Sequence, residues 1–255
     1  MSKKVSLRQF LMRSGKFEKV HDCVQLVRNG KVIIDNKTIT NPNYFFNPKK
    51  SLVKFDNEKI KKVPMLYFLM NKPAGYLSQK AENEKTIYEL LNKLSLSKEE
   101  IQSLFAVGRL DKNTEGLMVI TNDGKLSNII MDSKNEISKR YYATLEKPIN
   151  HVSVKSLEKG VVIETDEGKY KTKKCKINAK SEKEIYVSVT EGKKRQIRRM
   201  FDAIGNKVAY LKRVSIGGLQ LGNLKVGDFK QLAREDIYDK LNIHWSCADF
   251  FKKSK

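Results

Sequence analysis

Only three cysteines, Cys23, Cys175 and Cys247, occur in 255 residues, far apart and with neither a CxxC pair nor a histidine at ligand spacing. An odd number of scattered thiols excludes a disulfide framework and gives no zinc site, so buried or inert thiols are expected. The three histidines, His21, His151 and His244, are equally dispersed. HExxH is absent, as is any glycine-rich loop ending in GK[ST], and no metal or nucleotide cofactor is expected. Long apolar runs are missing too. Nothing approaches the roughly 18 residues needed to cross a bilayer, so no membrane partner is expected. The stretch MSKKVSLRQFLMRSGKFEK has neither the apolar core nor the small-residue cleavage site of a secretory leader, and a cytoplasmic location is expected.

Acidic residues are in deficit. Asp and Glu number 29 against 51 Lys and Arg, a formal net charge of +22 with a sequence pI of about 9.8. A polyanion is the natural partner, because cations that neutralise phosphates release condensed counterions and make binding salt-dependent. Charge alone leaves open a lysine-rich composition with no nucleic-acid role. Hydrophobic residues make up 40% of the chain, which excludes wholesale disorder. The length accommodates a small domain joined to a larger one.

The first sixty residues have their own pattern. LRQFLMRSG and EKVHDCVQLVRNG are apolar at helical spacing and each ends in glycine, the residue that most readily takes the left-handed helix cap. Two short helices are predicted, with Val20, Cys23, Val24 and Val27 sharing one face of the second. KVIIDNKTIT then reads as two short strands around an Asp-Asn-Lys turn. The charged stretch 56–64, DNEKIKKVP, reads as a linker ending in Pro64. The chain therefore divides into 1–60, a linker at 61–64, and 65–255.

In the larger part, MLYFLM is a short buried strand and TIYELLNKL an amphipathic helix. LFAVGRLD, the strand GLMVIT, the helix KLSNIIMD and the strand RYYATLEKP follow. Later come VVIET, a basic strand around Tyr170 to Ile177, EIYVSVT, and the helix KRQIRRMFDAIG capped by Gly205. Strands outnumber helices, so an α+β fold is predicted, with a mixed, mainly antiparallel sheet and flanking helices. No heptad or self-association element is visible, and a monomer is expected.

Asp111, in GRLDKNTEGLMVITNDG, would by itself be a turn residue. Its surroundings point further: Gly108 and Gly116 bracket it, Arg109 precedes it by two residues, and an apolar strand follows at once. A carboxylate held on a turn beside a rigid strand with a cation nearby is positioned and kept ionised. In KRQIRRMFDAI, Ile197, Met200, Phe201 and Ile204 form a core-facing stripe at helical spacing, leaving Lys194, Arg195, Arg198 and Arg199 on other faces.

The segment GRLDKNTEGLMVITNDG resembles the GRLDxxTxGLLLLTNDG signature of the RsuA/RluB/RluE/RluF group of pseudouridine synthases. NKPAGYLS (71–78), SKRYYATLEKP (138–148), EGKKRQIRRMFDAIGNKV (191–208) and the tail SIGGLQLGNLKVGDFKQL resemble the same group in the same order. The amino-terminal pattern, with Asn29, Gly30, Lys31 and Val32 at its turn, resembles the S-four RNA-binding domain. It departs from that domain in having Phe17, Glu18 and Lys19 where arginine pairs often open the second helix.

The resemblance implies isomerisation of a uridine in structured RNA, most readily ribosomal RNA or an assembling ribosomal subunit, without a cofactor. It implies that Asp111 is the catalytic carboxylate and that Tyr141 packs against the base, with Tyr142 as the alternative if the register slips by one. It pairs Arg198 with the carboxylate and puts Ile197 near the base. Substrate contacts are expected from Arg109, Lys139, Arg195 and Arg199, and from Lys31 in the first domain. A non-catalytic RNA-binding or ribosome-assembly protein on the same fold is the alternative.

Overall fold

The computed structural model describes residues 4–17, 19–60 and 63–243. Glu18, Lys61 and Lys62 of the expected linker, His244 and Cys247 lie outside the described residues. The described residues divide into two compact units, one built on residues up to Leu66 together with Leu91–Phe105, the other on Tyr67–Leu90 and residues 106–243.

In the first unit, helix α1 (Leu7–Arg13) starts at a capping box. The Ser6 hydroxyl accepts from Gln9 N, and Ser6 N donates to the Gln9 side chain. Helix α2 (Val20–Arg28) buries Cys23 and Val27. Val20, predicted on that same face, is instead 50% exposed, because it is the first helical residue and lies outside the packed turns. Strands β1 (Val32–Ile34) and β2 (Lys37–Thr38) form the predicted hairpin around Asp35 and Asn36, both at positive φ as a tight two-residue turn requires.

Strands β3 (Val53–Phe55) and β4 (Glu58–Lys59) repeat that device at Asp56 and Asn57. The stretch read as a linker from residue 56 thus begins as a hairpin of the first unit's sheet, ordered β2-β1-β3-β4. Phe10 against Phe46 and Phe17 against Phe55 pack edge-to-face at 5.2 and 5.1 Å within its core.

Helix α3 (Lys98–Ser103), a segment that sequence reading assigned to the larger domain, also belongs to this unit. Gly15, at φ +71°, lies so close to the Glu99 carbonyl that a Cβ there would collide with it.

The second unit is built on a sheet whose strands run β10-β11-β7-β12-β6-β5-β13. In chain order these are β5 (Tyr67–Lys72), β6 (Glu115–Thr121), β7 (Lys139–Leu145), β10 (Lys176–Ala179), β11 (Glu184–Val189), β12 (Val208–Ile216) and β13 (Phe229–Gln231). Every neighbouring pair in that order is antiparallel except β12 with β6, which are parallel through Lys212–Glu115 and Arg213–Gly116. The α+β, mainly antiparallel prediction holds. Strand β5 is buried along its whole length, which is why MLYFLM reads as an apolar run without alternation.

Helices α4 (Gly124–Met131), α5 (His151–Lys159), α6 (Gln196–Asp202) and α7 (Arg234–Lys240) complete the unit, with β8 (Val162–Thr165) and β9 (Gly168–Lys171) forming a separate hairpin. Asp123 caps α4 and accepts from the hydroxyls of Tyr67 and Tyr238, each at 2.9 Å, tying β5 and α7 to that cap. Along β7, β11 and β12, alternate residues Ala143, Ile185, Val187 and Leu211 join Leu157, Ile197, Met200 and Phe201 in one core.

Two predicted elements differ in detail. TIYELLNKL forms one α-helical turn, Ile87–Leu90, and then a 3-10 turn, Leu91–Lys93. The basic strand around Tyr170 to Ile177 is broken, since Thr172 N donates to Val161 O, Lys173 N to the Glu191 carboxylate and Cys175 N to Glu158 O. Those bonds carry the chain from the β8–β9 hairpin to β10, which lies in a different sheet.

Candidate active site

Asp111 sits in the loop that feeds β6, partly exposed in a cleft of about 520 Å³ on the face of the sheet that carries α6. The loop is short, with Thr114 N donating to Asp111 O. Lys72, fully buried at the end of β5, lies beneath it. Its ammonium donates to the backbone oxygens of Pro73 (2.9 Å), Asp111 (3.2 Å), Lys112 (3.1 Å) and Thr114 (2.9 Å).

One buried cation therefore gathers three carbonyls of the Asp111 turn. Burial pushes the Lys72 ammonium down to about 8, while the Asp111 and Glu115 carboxylates oppose that fall. Gly116, at φ +110°, closes the turn where β6 meets β12, and a Cβ there would run into the Arg213 backbone.

Tyr141 on β7 lines the same cleft and packs on the core beneath it. Tyr142 points to the other face, where it meets Tyr186 and Tyr210 at ring distances of 5.6 and 6.2 Å. Of the two tyrosines left open by sequence, Tyr141 shares the cleft with Asp111. Ile197, in the first turn of α6, lines it as well.

Helix α6 starts at Gln196, two residues later than KRQIRRMF implied, because Arg195 adopts a left-handed backbone at φ +53°. Gln196 side-chain oxygen accepts from Lys193 N, and its amide donates to Glu191 at 2.6 Å. This holds the EGKKR loop in a fixed curl at the cleft rim.

Arg109, Lys139 and Arg195 line the cleft. Burial and Arg213 hold the Lys139 ammonium below its usual value. Arg198 is placed differently from the pairing that the resemblance implies. Its guanidinium donates to Val208 O (2.7 Å) and to Asn113 O of the Asp111 loop (3.3 Å) rather than to the carboxylate. Asp111 is near enough for its charge to raise the guanidinium, against burial and Arg195, which together leave it lowered.

Arg199 is outside the cleft lining and is engaged by Asp166 at 3.0 Å. Lys31 belongs to the first unit, where it faces Asp56 at 3.4 Å.

Two cations that sequence reading did not single out belong here. Lys72 was visible only as the lysine of NKPAG, an odd residue at the end of an apolar strand. Arg213 on β12 lines the cleft at 4% exposure, donates through Nε to Leu117 O at 2.7 Å, and has a buried Nη2 with no hydrogen-bond partner in the structure. Nothing local in LKRVSIGG marks it, since its partners are distant in sequence.

A mixed, mainly antiparallel sheet thus brings an aspartate, an aromatic ring and an apolar side chain into one cleft lined by cations. A crystal structure of a pseudouridylate synthase shares this architecture, with a TM-score of 0.65 at 26% identity over 93% of this chain and 99% of that one. The chain belongs to the RNA pseudouridylate synthase family, whose profile matches residues 66–203.

Its relatives include an uncharacterized RNA pseudouridine synthase of Bacillus subtilis (strain 168), 35% identical over 219 residues, 84% of this chain and 89% of that protein. The ribosomal large subunit pseudouridine synthase B of the same organism is 31% identical, covering 84% and 86%. The ribosomal small subunit pseudouridine synthase A of Escherichia coli (strain K12) is 30% identical, covering 83% and 89%. The chain is an RNA pseudouridine synthase, an enzyme that isomerises uridine to pseudouridine. Among the described residues no helix is long and apolar enough to cross a membrane.

Proposed function

We propose that this enzyme flips one uridine of ribosomal RNA into the cleft and isomerises it with Asp111 as the catalytic carboxylate. The observation that carries the reading is convergence: Asp111, Tyr141 and Ile197 come from three distant segments and line one cleft. Isomerisation breaks the N1–C1′ bond, turns the uracil, and joins C5 to C1′. The C5 proton leaves and N1 gains one, so no redox partner or energy source is needed. Stacking hides those atoms in a duplex, and flipping costs a few kcal/mol, which favours loops and bulges.

Tyr141 and Ile197 then give the freed base two surfaces to rest against while it turns. The Asp111 carboxylate either attacks the ribose carbon or assists formation of a glycal-type intermediate. Lys72 and Arg198 act on it through the loop, by fixing its carbonyls and by charge, and are positioning residues. Arg109, Lys139 and Arg195 neutralise flanking phosphates, and Arg213 adds a buried positive charge at the cleft wall.

The amino-terminal unit acts as an S-four-like RNA-binding domain, with Lys31 among its contacts. The enzyme works as a monomer in the cytoplasm on ribosomal RNA or an assembling subunit.

Asp111→Asn, which keeps size and polarity, is expected to retain fold and RNA affinity and to lose pseudouridine formation. Mapping pseudouridines in ribosomal RNA after incubation with wild type and variant reads this directly. Normal yield from purified Asp111→Asn would refute the assignment.

A further inference from the structure

The face of the sheet opposite the cleft is not occupied by any step of that chemistry, yet it is built like a nucleic-acid platform. Registered pairing lines up Asn178, Tyr186, Tyr142 and Lys212 across β10, β11, β7 and β12, with Lys176, Ser188 and Arg140 in the adjacent row. The Arg140 guanidinium lies over the Tyr186 ring at 4.2 Å, and the Lys180 ammonium lies 6.0 Å from the Tyr142 ring centre.

A groove of about 480 Å³ runs over these side chains to Val214 and Gly222. Its acids are already engaged: Glu184 is paired with Lys180 at 3.1 Å, and Glu115 accepts from the Tyr210 hydroxyl at 2.6 Å. The edge strand β10 and the turn that follows it add Lys176 and Lys180 to this face.

We infer that this face is a second RNA-binding surface, taking an unpaired stretch of the substrate outside the segment that enters the cleft. Four antiparallel strands presenting aromatic rings between cations match the physical demands of single-stranded RNA. Bases stack on tyrosine rings and on guanidinium planes, and lysines at the margin follow the phosphates. The Arg140–Tyr186 stack is a surface to which a base adds. Opposite charge selects a polyanion here, and a family that acts on RNA supplies one. The inference rests on RNA being the substrate and not on the identity of the catalytic carboxylate.

Fluorescence anisotropy with a labelled oligoadenylate, which has no uridine to isomerise, tests the face separately from the cleft. The wild-type chain binds it. Tyr186→Ala and the double variant Lys176→Glu with Arg140→Glu each weaken it by about tenfold or more, the size expected for one stacked base or a pair of reversed charges. Tyr186→Phe, which keeps the ring, binds as wild type does, and circular dichroism establishes that each variant is folded. Arg195→Asn, in the cleft, loses less oligoadenylate affinity than the face variants do.

With ribosomal RNA as substrate, the face variants raise KM and leave kcat unchanged. The inference is overturned if wild type does not bind oligoadenylate, which would leave the face to a protein partner. It is equally overturned if the face variants bind normally, or if only Arg195→Asn loses binding. Asp111→Asn should bind oligoadenylate normally whatever its effect on yield, so failure of the catalytic assignment is read separately.

Discussion

At the scale of single residues, Lys72 carries the largest consequence. A buried ammonium donating to four carbonyls is stable only because those oxygens replace its water. Lys72→Met keeps length and removes the donor, leaving carbonyls of the Asp111 turn buried without partners at about 1–3 kcal/mol each. The variant is expected to unfold on the order of 3 kcal/mol more easily in a urea titration and to lose most of its kcat.

The pH dependence has a definite sign. The folded state holds Lys72 near 8 against an unfolded value of about 10.4, so between those values the unfolded chain binds more protons. This group therefore makes the fold more stable, not less, as pH rises through that window. The clamp nevertheless loses its charge. Activity should fall above about pH 8 with no matching fall in the thermal midpoint, and the same decline accompanied by unfolding would exclude Lys72 as its cause.

At the scale of elements, the joint between β6 and β12 is the most constrained. It is the sheet's one parallel pairing along the strand order, it rests on Gly116 opposite Arg213, and it anchors the end of the Asp111 loop. Gly116→Ala combines an unfavourable positive φ with a backbone collision that no rotamer relieves. It is expected to lower stability by on the order of 3 kcal/mol and to open amide protection at Leu117 and Arg213 first, as hydrogen exchange would report.

Little of that joint is written locally. GRLDKNTEGLMVITNDG was legible because a long ordered motif carries its own turn, strand and cap, and the hairpin at Asp35–Asn36 because its turn chemistry is local. The Lys72 carbonyl cluster, the orphaned Arg213 nitrogen and the break between β9 and β10 were not, since each depends on partners tens of residues away. The left-handed Arg195 escaped for a different reason. KRQIRR reads as continuous helix, and only the Gln196–Glu191 bond in the folded chain shows why it starts late. Helix α3 was overlooked although Ser97 and Glu100 form a capping box that SLSKEE spells out.

At the scale of the whole molecule, the +22 charge sets how affinity responds to salt, but not every cation contributes equally. Lys193, Lys194 and Arg199 are held by Glu167 and Asp166 at the tip of the β8–β9 hairpin, at 3.1, 2.8 and 3.0 Å. A phosphate reaching them must displace a carboxylate, and the exchange of one anion for another releases fewer counterions. Arg195 lines the cleft beside these pairs. The plot of log affinity against log salt for ribosomal RNA should therefore become shallower by about one unit in Arg195→Asn, a side chain that tolerates the left-handed backbone. Arg199→Gln should leave the slope nearly unchanged, because its guanidinium is turned to Asp166 and lies outside the cleft lining. Removing the hairpin acids should do the reverse: Asp166→Asn with Glu167→Gln makes RNA binding tighter at low salt and its salt dependence steeper. Equal slopes for all of these variants would mean that the cations at the cleft act as one diffuse field, with no difference between engaged and available charge.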